Sequence, residues 1–183
     1  MTVTIESGGP LPASLDGLKA YLRISTADED ALLTDLIRAA GDVAERFLGQ
    51  LLIERGVAEL MDARCDWRAL AVRPVTSILS LAGLSTDGEE ITLSVGDYAL
   101  DIDGNGDGWV RLANGGGPGA PFGRICVRYR AGMADEADGL PDAIRHGIIR
   151  LAGDYHALRE GVEPQPPASV AALWRPWRRM VLR

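Results

Sequence analysis

The sequence is poor in the residues that carry most catalytic chemistry. It has two histidines and two cysteines in 183 residues. His146 and His156 share one amphipathic stretch nearly three helical turns apart, too far to ligate one metal ion. Cys65 and Cys126 stand far apart without a CxxC partner, which predicts two buried thiols rather than a structural disulfide. The sequence contains no HExxH and no GxSxG elbow. The glycine run 115–117, with Pro118 and Gly119, lacks the Gly-Lys-Ser/Thr ending of a phosphate loop. Carboxylates are numerous, but no pair is singled out for acid–base work, so no catalytic residue, metal or cofactor is expected.

Long apolar runs are missing too. No stretch of 18 apolar residues offers a membrane span, and Met1 to Pro12 lacks the basic and apolar regions of a secretory signal. The expected compartment is the cytoplasm or a particle assembled there. Lysine is nearly absent: Lys19 is the one lysine among 19 basic residues. Arginine favours bidentate contacts at interfaces, but a GC-rich genome gives the same bias and is the simpler reading.

What is present is a soluble, ordinary apolar and charged content, 46% and 25%. A chain of this length buries roughly 70% of its unfolded surface and needs no disulfide or metal to fold. The net charge of −7 is unevenly placed. From Leu173 onward four arginines and no acid give +4, leaving −11 for residues 1–172. An acidic body argues against general DNA binding, which requires clustered Lys and Arg. The basic tail is a separate electrostatic object, suited to an acidic partner.

Residues 1–13 read as an extended arm, because Gly8, Gly9, Pro10 and Pro12 exclude helix. Ser14 is the expected cap of a short helix bearing Leu15, Leu18 and Leu22. Thr26 and Glu29 form the spacing of a capping box before a long helix. Its stripe is Leu32, Leu36, Ala40, Val43, Phe47 and Leu51, with a flanking row of Leu33, Ile37, Ala44 and Leu48. From 53 to 132 the texture is β, with strands expected at 57–62, 77–81, 90–93, 98–102, 109–112 and 124–130. Turns fall at Asp87-Gly88, at 103–108 and at 114–119, the last a glycine-rich loop. Pro141 sits at the expected first position of a second long helix, with Ile144, Ile148, Leu151, Tyr155 and Leu158 on one face and Gly161 and Pro164 ending it. Ser169 is the expected cap of a last short helix, 170–174.

This pattern predicts an α+β fold: a helical core, 14–52 and 140–161, with a small antiparallel sheet inserted at 53–132. Residues 1–163 form the expected single domain, and 164–183 a proline-linked C-terminal docking tail. That tail holds Trp174 and Trp177 among arginines, the residue types that dominate interface hot spots. The alternative is a segment that folds back on its own core. The run Asp103, Asn105, Asp107 and Gly108 resembles a calcium loop, but Asn114 stands where the bidentate Glu belongs. A hairpin turn accounts for the same residues.

The order of several short pieces resembles a known family. Leu18 to Ile24, Asp28 to Asp30, and the long helix ending Phe47-Leu48-Gly49 are similar to the N-terminal half of phage head-tail connector (adaptor) proteins. Arg73 to Ile78, Val127 to Gly132, Leu140 to Ile144 and Tyr155 to Glu160 follow in the family's order. Trp174 to Arg179 is similar to the tail of the longer members that carry a β insertion, including those of gene transfer agents. The resemblance implies a non-enzymatic structural protein of a virion or phage-like particle. It implies a ring of about a dozen copies beneath the portal, joined to neck or tail proteins such as a stopper or tail terminator, with DNA passing the lumen unbound. Trp174, Arg175, Trp177, Arg178 and Arg179 are then the portal-docking candidates. The acidic loop at 135–138 and the loop at 115–119 have no assigned neighbour. The competing readings are a calcium-stabilised β binding module and a small hydrolase using a carboxylate or His156.

Overall fold

The structure, a computed structural model, describes residues 1–114, 122–158 and 165–179. The predicted glycine-rich loop, the linker positions Gly161 and Pro164, and the tail beyond Arg179 lie outside these residues. The chain divides into two compact units. One comprises Met1–Gly8 with Glu54–Gly132, the other Gly9–Ile53 with Met133–Arg183. The fold class is α+β, as the sequence predicts.

The first unit is built from strands. β2 (Arg55–Asp62), β4 (Val75–Leu84) and β8 (Arg124–Ala131) form the middle of a five-stranded antiparallel sheet. Its order is β1-β2-β8-β4-β5, where β1 is Thr2–Ile5 and β5 is Glu90–Thr92. β8 is central because Ile125, Cys126 and Val127 are buried consecutively, so both of its faces are covered. The N-terminal arm is extended, as expected, but it pairs along β2 from Thr2 opposite Leu60 to Ile5 opposite Val57. Thr2, Thr4 and Glu6 alternate with Val3 and Ile5 as an edge strand does, a signal the expectation of an unpaired arm left unused.

A second sheet of three strands, in the order β3-β7-β6, was not foreseen as a separate layer. It joins β3 (Arg68–Ala69), β6 (Tyr98–Ile102) and β7 (Gly108–Leu112). β3 is too short to show any period. Five of the six expected strands gain or lose residues at their ends, and Tyr98–Ile102 matches fully.

Among the described residues the second unit is a cluster of four helices: α1 (Leu15–Leu22), α2 (Asp30–Leu48), α3 (Asp142–Ala157) and α4 (Ala168–Trp174). Ser14 caps α1 by accepting the Gly17 N–H at 3.0 Å. Arg23, at φ 61°, ends it in the left-handed region. α2 begins at Asp30, four residues later than the predicted Thr26 start, and Glu29 makes no side-chain cap bond. Its buried stripe is the flanking row Leu33, Ile37, Ala44 and Leu48 with Ala40 and Val43, whereas Leu32 is 50% exposed. Gly49, at φ 69°, caps the C-terminus.

Pro141 stands one residue before α3 and not inside it, and Leu158 is exposed beyond the last turn. α4 starts at Ala168, so Ser169 lies within it; its hydroxyl accepts from Arg150 at 3.0 Å. Leu18, Leu33, Ile37, Leu48, Leu52, Ile144, Ile148, Leu151, Val170 and Trp174 share one core. Each such side chain contributes about 1.5–3 kcal/mol relative to exposure. The single lysine, Lys19, bonds Asp30 at 2.6 Å and ties α1 to α2. No helix is long and apolar enough to cross a membrane among the described residues.

Candidate docking surface

The C-terminal segment 165–179 packs into the helical unit and divides the five predicted contact residues into different environments. Trp174 is fully buried. Its indole N–H donates to the Ile144 carbonyl at 3.3 Å, and its ring meets Phe47 with centroids 5.9 Å apart. Gly147 provides the space: a Cβ there would lie 2.2 Å from the indole nitrogen. Trp174 therefore anchors the segment from inside, which favours the folded-back alternative for this residue. Its burial follows from an apolar face of α4, Val170 and Trp174 one turn apart, closing the gap beside α3.

Beyond Trp174 the chain turns outward. Arg175–Trp177 forms a single 3-10 turn, with Pro176 in it. Trp177 is 41% exposed, and its carbonyl accepts from the Gln50 side chain at 2.8 Å. Arg175 and Arg178 are exposed and Arg179 is half-buried. Arg178 stacks over the Phe47 ring at 5.1 Å. The Arg179 N–H donates to the Leu48 carbonyl at 3.0 Å, satisfying one of the groups left open at the end of α2. The segment is thus held at both ends of its 3-10 turn, with an exposed tryptophan between arginines.

Beside it runs an open groove of about 760 Å³, lined by Arg46, Phe47, Pro167, Ala171, Arg175 and Arg178 among others. Sequence reading missed this groove. Arg46 and Arg175 are 129 positions apart, and no local period signals that they meet.

The acidic loop at 135–138 leads into a 3-10 turn, Ala137–Gly139, before α3. Asp138 and Asp142 are 93% and 91% exposed in their side chains, and both bond Arg145. Asp135 and Glu136 are exposed.

Side chains named in the competing readings also make structural contacts. The Asp103 carboxylate accepts the backbone N–H groups of Asn105 and Asp107, at 2.8 and 3.0 Å, and lies 3.4 Å from the Trp109 indole nitrogen. Asp107 pairs with Arg73 at 3.0 Å. Asp103 thus closes the β6–β7 hairpin on its own loop, and Asp107 ties that loop to Arg73. His156 lies 3.3 Å from Glu29, and His146 is exposed near the start of α3. Both cysteines are free thiols, but Cys65 is exposed, not buried; Cys126 is buried, and desolvation raises its pKa. Among the described residues no group of three His, Cys, Asp or Glu side chains is placed to hold a metal ion.

A buried polar cluster in the sheet unit was also missed. Glu59 on β2 is fully buried and accepts from the Tyr129 hydroxyl and the Ala71 N–H, both at 2.9 Å. The same hydroxyl accepts the Val72 N–H at 3.2 Å. Burial, with the Glu59 charge beside it, pushes the Tyr129 phenol well above its usual range. The cluster fastens the chain at Ala71 and Val72 to β2 and β8.

Residues 12–84 match the family model described as phage gp6-like head-tail connector protein. No curated protein matches the sequence. Solved structures match over the whole chain. A chain from the neck of an empty GTA particle, with C6 symmetry, is 25% identical at a TM-score of 0.79, covering 100% of this chain and 98% of that one. A chain from the virion of a native gene transfer agent particle is 25% identical at 0.77, with the same coverage. A chain from the neck of the native GTA particle, with C12 symmetry, is 24% identical at 0.74, again with the same coverage. The chain therefore resembles the gp6-like head-tail connectors in the sequence of residues 12–84, and over its whole length it has the fold of gene transfer agent neck chains.

Proposed function

We propose that this chain is a structural adaptor in the neck of a phage-like particle, without catalysis. It forms a ring of about twelve copies below the portal and joins it to the next neck or tail protein around the DNA channel. The observation that carries this reading is the match to a neck chain of a gene transfer agent particle over 100% of this chain and 98% of that one. The C6 and C12 symmetries of those particles support a cyclic assembly. The acidic body supports a lumen that DNA crosses without sticking.

Within this reading the C-terminal segment docks on the portal. Trp174 holds it to the helical unit, and Trp177 presents the outward apolar contact, with Arg175, Arg178 and Arg179 around it. Particle assembly takes place in the bacterial cytoplasm.

Electron microscopy of the protein mixed with the portal ring encoded beside it tests the reading. A second ring on one end of the portal is the expected result and gives the copy number. A bare portal, with both proteins folded, would overturn it.

A further inference from the structure

The groove beside the C-terminal segment carries three guanidinium groups, those of Arg46, Arg175 and Arg178. Arg46 bonds the Asp42 carbonyl, and Arg178 stacks on Phe47. Among the described residues, no carboxylate lies within ion-pair distance of any of the three. Clustered like charges repel, and guanidinium groups are matched best by carboxylates taken in pairs. An acidic ligand is what this groove fits.

The same unit displays the complementary charge. Residues 135–142 carry Asp135, Glu136, Asp138 and Asp142, all exposed, against the single Arg145. Their position is set by α3. The C-terminal segment meets α3 at Ile144, Gly147 and Arg150. α1 meets it at Ile149 and Gly153. Gly147 and Ile149 point about 200° apart around the helix, so α1 and α4 hold opposite flanks. Asp138 and Asp142 share a depression with Ala13, Ser14 and Ile149 on the α1 flank. The arginine groove lies on the α4 flank.

We propose that the arginine groove of one subunit receives the acidic 135–142 segment of a second copy, head to tail. This rests on the ring-adaptor reading, names its subunit contact, and gives Arg175 and Arg178 to the neighbouring copy, leaving Trp177 and Arg179 for the portal. Two unlike faces on opposite flanks make a heterologous contact, which a rotation closes into a ring. The groove's open floor admits an exposed turn such as Ala137–Gly139, and the contact weakens as salt rises.

Disulfide trapping tests it in the full chain. Ala171→Cys places a thiol in the groove and Ala137→Cys one beside the acidic turn, in a Cys65→Ser background. The double variant is oxidised both free, at high concentration, and mixed with the portal ring. The expected result is a ladder of linked dimers, trimers and larger species in at least one sample, with no ladder from either single-cysteine variant. Arg46→Glu reduces the ladder a few-fold, and adding Glu136→Arg restores it. No ladder in either sample overturns the proposal, as does a product limited to dimers formed by one single-cysteine variant. If Arg46→Glu prevents portal binding and leaves the ladder intact, the portal fills the groove and the proposal falls. A portal that gains its second ring without a ladder removes this contact alone and leaves the adaptor reading standing.

Discussion

The indole of Trp174 rests on the bare backbone of Gly147, where any Cβ would come within 2.2 Å of the ring nitrogen. The two residues specify each other: the largest side chain of the segment occupies space that only glycine leaves open on α3. Gly147→Ala is expected to force the indole out or shift α4, at a cost of about 1–3 kcal/mol. Thermal unfolding with tryptophan fluorescence checks both the loss and the new exposure of the ring. An unchanged Tm would mean the indole does not seat there.

The same relationship separates the two tail tryptophans. Both are docking candidates by sequence, but Trp174 is fully buried and Trp177 is substantially exposed. Trp174→Ala is expected to cost about 3–5 kcal/mol in denaturant unfolding, as the loss of a fully buried aromatic.

Trp177→Ala is expected to leave stability within about 0.5 kcal/mol of the parent, since the ring is substantially exposed. Its effect belongs to binding: cosedimentation with the portal ring falls sharply. Full retention of binding would remove Trp177 from the docking contact.

Tyr129→Phe takes the hydroxyl from between Glu59 and Val72. The Glu59 carboxylate loses one donor, and the Val72 N–H loses its acceptor. A loss of about 1–3 kcal/mol is expected. Hydrogen exchange should also quicken at Val72 more than in the middle of β8.

Acid should weaken the sheet unit through Glu54. The Thr76 hydroxyl donates to its carboxylate at 2.6 Å, and Arg130 bonds the other oxygen. These bonds, that of Thr76 foremost, hold its pKa below the ordinary carboxylate value. A lowered folded pKa means the stabilisation is complete above the unfolded value near pH 4 and disappears as pH falls through the folded one. Urea unfolding of Glu54→Gln should therefore show a shallower loss of stability than the parent between about pH 5 and pH 2. Parallel curves would rule Glu54 out as a contributor.

Much of the architecture was legible because it is local. Ser14 and its partner N–H are three residues apart, and the apolar rows of α2 and α3 repeat within single helices. The alternation of Ile125, Val127 and Tyr129 marks β8 as a strand, and its central place appears only in the sheet order, with Cys126 between them buried as well. The errors also have local causes. Thr26 and Glu29 have the spacing of a capping box, yet the helix starts at Asp30. Two adjacent apolar rows on α2 were equally periodic, and only contact with α3 selects the one containing Leu33 and Ile37.

Sequence by itself determined the α+β class, most of the strands and helices, the charge division between body and tail, and the likeness to head-tail connectors. These depend on residue spacing, composition and order. Tertiary structure decided which tail tryptophan is buried, that Arg46 joins Arg175 and Arg178 around one groove, and that Glu59 is clasped by Tyr129. Each of these joins residues some 30 to 130 positions apart, where chain order sets no distance and packing alone brings side chains together.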